Sequence, residues 1–209
     1  AVKQVVLATR NKGKIVEFER LLSELTSDIH VLGLSDFPDM PDVEESGTTL
    51  EENALLKSRA IAAFTGLPSL ADDSGLFVNA LGGDPGVYSA RWAGTHGDDV
   101  ANTEKVLGQM RTLAELDPAL DRSASFKCVI ALSFPEGHAQ AGKDLIEHGE
   151  MPGALIESPR GEHGFGYDPI FIPAGLTLTS AQLSAQEKDE ISHRGRAMRQ
   201  IAPILIELL

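Results

Sequence analysis

Two adjacent carboxylates, a hydroxyl and a glycine, Asp72-Asp73-Ser74-Gly75, follow the apolar stretch from Leu67 to Ala71. Neighbouring residues of a strand project to opposite faces, so core contacts neutralise at most one of the two acids cheaply. Placing both there costs free energy unless a cation or hydrogen bonds offset the repulsion. A hard, oxygen-seeking ion such as Mg²⁺ suits this pair, because it takes carboxylates together with substrate phosphates. Glu44-Glu45, in the preceding Pro-rich acidic stretch, offers a second pair. An Asx-type turn before Gly75 accounts for the same residues without chemistry.

Three further groups have chemical potential. Thr9-Arg10-Asn11-Lys12-Gly13-Lys14 lies where an apolar strand gives way to a helix. Free N–H groups and the helix dipole at such a turn favour a phosphate, and the basic side chains add charge. The spacing is not that of a Walker A loop; a plain surface turn set by Gly13 is the alternative. Gly164-Phe165-Gly166-Tyr167-Asp168-Pro169 puts bare backbone beside flat rings, an arrangement suited to stacking a base, or simply to packing a core. Ser192-His193-Arg194-Gly195, with Lys188 nearby in sequence, could grip a base oxygen or a phosphate at a helix start, although a helical histidine is commonly just a surface residue.

Net charge is −13 over 209 residues, which argues against a nucleic-acid coat or a membrane-surface protein. A small anionic substrate remains compatible, since screening over roughly 8 Å lets local basic residues dominate inside a cleft. Those residues are grouped: Arg10, Lys12 and Lys14 early, Lys188, His193, Arg194 and Arg196 late. Cys128 is the only cysteine, so an intrachain disulfide and a thiolate metal cluster are both excluded, in keeping with a reducing cytoplasm. Neither a membrane span nor a secretory signal is read in the sequence.

These groups need elements to position them. The run QVVLA within Lys3 to Thr9 predicts a strand buried on both faces, and Ile15, Phe18, Leu21, Leu22 and Leu25 recur at helical spacing after Lys14. A second strand from His30 to Leu34 completes a β-α-β unit. Thr48 with Glu51 reads as a capping box, predicting a helix from Thr49 to Phe64 that stops at Gly66. Short strands are expected at 69–71 and 76–79, flanking the acid pair, with LGGDPG as turn chemistry. Asp98 or Asp99 caps a helix carrying Val100, Val106, Leu107, Met110 and Leu113. A hairpin is expected between 125–134 and 138–146, then a Gly-rich loop at 161–166 and a strand at 170–172. The tail from Ala185 reads as helical with a break near Ser192 to Gly195. One α/β domain of two lobes with a cleft between them follows for residues 1–209.

Taken together, the blocks LATRNKGKIVEF, EESGTTLEENALLKSRA, ADDSGLFVNALGGDPGVYSARWAG, GFGYDPIF and EKDEISHRGRAM span Leu7 to Met198. In order and wording they resemble the bacterial branch of the inosine triphosphate pyrophosphatase (Ham1-like, dITP/XTP pyrophosphatase) family. That resemblance implies an elongated, two-lobed α/β fold with a central mixed sheet flanked by helices, a deep cleft and a homodimer. It also implies Mg²⁺-dependent hydrolysis of ITP, dITP and XTP to monophosphate and pyrophosphate. On it, Thr9, Arg10, Asn11, Lys12, Gly13 and Lys14 hold the triphosphate and Asp73 is the general base. Glu45, or Glu44, joins Asp73 at the metal, and Ser74 touches substrate. Phe165, Gly166, Tyr167 and Asp168 frame the base, and Lys188, His193 and Arg194 close the pocket. Met151 stands where many relatives carry an aromatic, and His163 where glycine is common.

Overall fold

Val5 and Leu7 are buried against one set of side chains and Val6 against another, so the first strand is covered on both faces as its apolar run predicts. The computed structural model describes residues 2–209. Strand β1 (Lys3–Leu7) leads into helix α1 (Lys12–Ser23) and strand β2 (Ile29–Leu32). β1 pairs in parallel with β2, which completes the β-α-β unit.

Helix α2 (Leu50–Thr65) follows the acidic loop. Its cap is Thr49, not Thr48: the Thr49 hydroxyl accepts from Glu52 N–H at 3.1 Å, and Glu52 accepts from Thr48 N–H at 2.7 Å. The threonine cap therefore lies one residue later than expected, and the reciprocal bond of a capping box is not made, because Glu52 reaches the N–H of Thr48 rather than that of the cap. Gly66 ends the helix at φ +69°, the left-handed conformation that glycine adopts without a Cβ penalty.

The two short strands expected around the acid pair are one: β3 runs unbroken as Ser69–Val78. Polar Asp-Asp-Ser reads as a turn locally, but pairing within the sheet overrides that preference. Gly75 makes the passage possible, since a Cβ there would stand 2.2 Å from the Gly86 carbonyl oxygen.

Asp98 caps helix α3 (Asp99–Leu116), accepting from Ala101 N–H at 3.1 Å. Val106, Leu107 and Met110 are buried as expected, whereas Val100 is exposed. Strand β4 (Ser123–Ser133) is followed by a chain of hydrogen-bonded turns through His138, Gln140 and Lys143. The next strand, β5 (Asp144–Leu155), thus starts later and runs further than the predicted hairpin arm. Strand β6 (Phe171–Pro173), helix α4 (Ala185–Ile191) and helix α5 (His193–Leu208) complete the chain. The helical tail breaks at Ser192, whose hydroxyl accepts from Gly195 N–H at 3.0 Å.

The six strands lie in the order β2-β1-β3-β4-β5-β6, with β1 parallel to both β2 and β3 and β5 antiparallel to β6, a mixed sheet. By its internal contacts the chain divides into two compact units. The first holds the chain through Asp73, Cys128–His148 and Ala197–Leu209, and the second holds Ser74–Lys127 and Gly149–Arg196. The core of the first packs Phe18 and Leu22 of α1 with Ile130 and Leu132 of β4 and Ile201 and Leu205 of α5. That of the second packs Leu76, Val106, Met110, Met151, Ile170 and Phe171, so Met151 serves as core. Among the described residues no helix is long and apolar enough to cross a membrane.

Candidate active site

In the first unit the acids separate by burial. Asp73 is 8% exposed, Asp72 and Glu45 are half-buried, and Glu44 is exposed. Alternation along β3 causes the split between the two aspartates. Burial pushes the Asp73 carboxyl up to about 6, with Glu45 and Asp72 adding like charge, while Lys57 and the Asn53 side chain pull it back. A carboxyl with that value exchanges protons near neutrality.

Lys57 ties the cluster together. Its ammonium donates to Glu45 Oε1 at 3.0 Å and to the Asp72 carbonyl oxygen at 2.6 Å. Four residues earlier on α2, fully buried Asn53 accepts from Gly47 N–H at 2.8 Å, which pins the acidic loop to the helix. A Cβ on Gly47 would come within 2.7 Å of Asn53 Oδ1, so glycine permits this approach. Sequence reasoning passed over both residues. Their signal was a spacing of four that puts an amide and an ammonium on one helix face, beside buried Leu50, Ala54 and Ile61. Cys128 is buried and directs its thiol to Asp72 Oδ2 at 3.8 Å.

The Thr9–Lys14 turn belongs to the same unit. Leu7 sits opposite Leu70, and Ala8 N–H bonds the Leu70 carbonyl at 2.8 Å, so the chain leaves β1 alongside Ala71–Asp73. Ends of parallel strands are where open α/β sheets receive ligands. Arg10, Asn11, Lys12 and Gly13 are exposed, and Thr9 and Lys14 half-buried. The expectation of free N–H groups at this turn needs correction. Asn11 caps α1, its Oδ1 accepting from Gly13 N–H at 2.9 Å and Lys14 N–H at 3.3 Å, while Asn11 N–H donates to Thr9 Oγ1 at 3.0 Å. An asparagine at the cap takes the Gly13 and Lys14 donors itself, so attraction for an anion rests more heavily on the side-chain charges.

Among the described residues, no three His, Cys, Asp or Glu side chains are gathered as a metal cage. The donors present fit an ion that takes one or two carboxylates and fills its shell with water and phosphate oxygens, as Mg²⁺ does. Of the two upstream glutamates, Glu45 is the one seen by Asp73.

The second unit holds Ser74, half-buried on β3, and the glycine–aromatic loop. Asp168 is 3% exposed; its Oδ2 accepts from Phe165 N–H at 3.1 Å and pairs with the Lys188 ammonium at 2.5 Å. It occupies the space beside Gly164, where a Cβ would stand 2.2 Å from Asp168 Oδ2. The Lys188 ammonium also lies 4.4 Å from the centroid of the Phe165 ring, which is 58% exposed. Tyr167 departs from the base-framing expectation: it is buried, and its hydroxyl donates to the Ser89 carbonyl at 2.6 Å. Burial and the Asp99 charge push that phenol far above its ordinary range. Loop N–H groups are likewise committed: Gly166 N–H donates to Asp99 Oδ2 at 2.9 Å and Asp168 N–H to the Phe165 carbonyl at 3.2 Å. His193 is half-buried and stacked on Phe126 at 5.1 Å, and Arg194 is half-buried at the start of α5.

Comparison with known proteins places the chain among relatives. The Ham1 family model matches residues 5–204. A dITP/XTP pyrophosphatase of Streptomyces avermitilis is 47% identical over 206 residues, covering 99% of this chain and 98% of its own. One from Geobacter sulfurreducens is 48% identical over 195 residues, covering 93% and 92%. The solved structure of a HAM1 protein from Coxiella burnetii matches with a TM-score of 0.85 at 44% identity, covering 99% of this chain and 100% of that one. With a family model matched along nearly its whole length, and relatives this similar in sequence and fold, the chain belongs to the Ham1 family.

Proposed function

We propose that this chain is a cytoplasmic nucleoside-triphosphate pyrophosphatase that hydrolyses deaminated purine nucleotides, ITP, dITP and XTP, to the monophosphate and pyrophosphate. The observation that carries the reading is Asp73, a buried carboxyl raised to about 6 among Glu45, Asp72 and Lys57, in a chain whose similar relatives bear the name dITP/XTP pyrophosphatase.

In this reading water attacks the α-phosphorus, and Asp73, ionised at neutral pH, takes its proton. Lys57 keeps Glu45 oriented beside it and fixes the strand through the Asp72 carbonyl. Arg10, Lys12 and Lys14 balance the charge of the triphosphate and of the departing pyrophosphate. Glu45 and Asp73 would hold Mg²⁺, which would add neutralising charge at the phosphate oxygens. The Phe165 loop, with Lys188, His193 and Arg194, discriminates the base. A homodimer is the assembly we expect, to be checked by sedimentation.

The test is product analysis in ¹⁸O-labelled water, with Mg²⁺ and a panel of nucleoside triphosphates. Monophosphate carrying the label, together with unlabelled pyrophosphate, supports attack at the α-phosphorus. Orthophosphate with diphosphate, or label in the pyrophosphate, overturns the assignment.

A further inference from the structure

The Gly164–Asp168 loop has little intrinsic reason to hold one shape. Gly164 and Gly166 both adopt positive φ, +76° and +60°. A Cβ built on Gly166 meets nothing within 4 Å, so the left-handed conformation and not a close neighbour calls for glycine there. Glycine backbone is loose unless hydrogen bonds restrain it. At the Gly164 end Asp168 supplies the restraint, and at Tyr167 the bond to Ser89 does. Gly166 itself is restrained from a different element. Its N–H donates to Asp99 Oδ2 at 2.9 Å, and its carbonyl accepts from Thr103 Oγ1 at 3.4 Å. Asp99 and Thr103 are one helical turn apart on α3, so a single helix face grips the two peptides that flank the Gly166 Cα.

From this we infer that Asp99 and Thr103 are positioning residues for purine selection. By fixing both peptides of Gly166 they hold the exposed Phe165 ring and the Lys188–Asp168 pair in one geometry. The inference rests on the function proposed above, in which this loop meets the base. Discrimination between a 6-oxo and a 6-amino purine depends on polar groups held to within about half an ångström, which a swinging peptide cannot provide. Neither residue stands out in the sequence, where Asp99 is only a possible cap and Thr103 an ordinary helix position.

The experiment compares the unmodified chain with Asp99→Ala, Asp99→Asn and Thr103→Val by two readouts. Amide hydrogen exchange at Gly166, measured by NMR without nucleotide, reports the clamp directly. We expect exchange about tenfold faster in Asp99→Ala and near the unmodified rate in Asp99→Asn, which keeps an acceptor oxygen. Steady-state kinetics with XTP and ATP reports selection. The kcat/KM ratio of XTP over ATP should narrow about tenfold in Asp99→Ala, through a higher KM for XTP with kcat little changed, and recover in Asp99→Asn. Thr103→Val should show a smaller effect of the same kind. Unchanged Gly166 exchange in Asp99→Ala overturns the clamp. Faster exchange with an unchanged XTP/ATP ratio overturns its role in selection. An unmodified chain that releases no pyrophosphate from either nucleotide instead defeats the functional reading and with it the selection role, while exchange still decides the clamp.

Discussion

A carboxyl pushed up to about 6 is held in a place where its charge is unwelcome. For Asp73 the folded value lies above the ordinary one of 3.8, so the folded chain binds the proton more tightly than the unfolded chain. Ionised Asp73 therefore lowers stability as pH rises through the window from about 4 to about 6, and the full cost stands above it. A shift of about two units corresponds to ~3 kcal/mol at most. Asp73→Asn is thus expected to raise the melting temperature at pH 7.5, with the gain shrinking as pH is lowered to 5, by calorimetry. In the proposed reaction the same substitution should reduce turnover about a hundredfold or more. Near-normal turnover would move the base to another residue. Ionised Asp73 is the working form, so kcat/KM should fall as pH drops through about 6. Lys57 is a charge that lowers this carboxyl. Lys57→Met should therefore move the acid limb of the pH–rate profile upward; an unmoved limb would show that another group controls it.

At the level of elements, β3 carries the main constraint. The strand crosses from one compact unit to the other between Asp73 and Ser74, and it stays unbroken because Gly75 lets the Gly86 carbonyl approach. Gly75→Ala would force a Cβ to 2.2 Å from the Gly86 carbonyl oxygen, which the chain can relieve only by moving backbone, either β3 or the turn that begins at Gly86. Gly66→Ala at the end of α2 meets no atom and suffers only the left-handed conformation. The expected losses are about 1 kcal/mol for Gly66→Ala and several times that for Gly75→Ala. Urea denaturation of the two variants checks the order, and comparable midpoints would refute the account of β3. Thr49→Ala should cost about 1 kcal/mol through loss of the cap, and Thr48→Ala less.

For the whole molecule, a net charge of −13 beside locally basic Arg10, Lys12 and Lys14 makes anion capture dependent on short-range attraction. In the proposed function, chelation of divalent ions should abolish turnover and Mg²⁺ restore it. ITP, dITP and XTP should also exceed ATP and GTP in kcat/KM by about a hundredfold, since a mismatched buried polar group costs about 1–3 kcal/mol and several act together. Equal kcat/KM for ITP and ATP would refute a role in clearing deaminated purines, whatever the products.

The elements whose signal is local were legible in the sequence. The apolar run of β1, the periodicity of α1, the glycine stop of α2 and the break at Ser192 are each set by residues within a few positions of one another. The sequence also placed the chain among its relatives, because the five blocks carry their residues in order. Tertiary structure decided the rest. Asp-Asp-Ser became continuous strand because distant partners pair with it, and alternation along that strand gave the two aspartates different surroundings, Asp73 buried and Asp72 half-buried. Asn11 took the N–H groups meant for a phosphate, and Tyr167 turned inward to Ser89. Lys57 met Glu45 and Asp72 across 12 and 15 positions of chain, and Asp99 met Gly166 across 67. Such contacts leave no periodic trace, because their energy depends on burial and on which far segment supplies the partner.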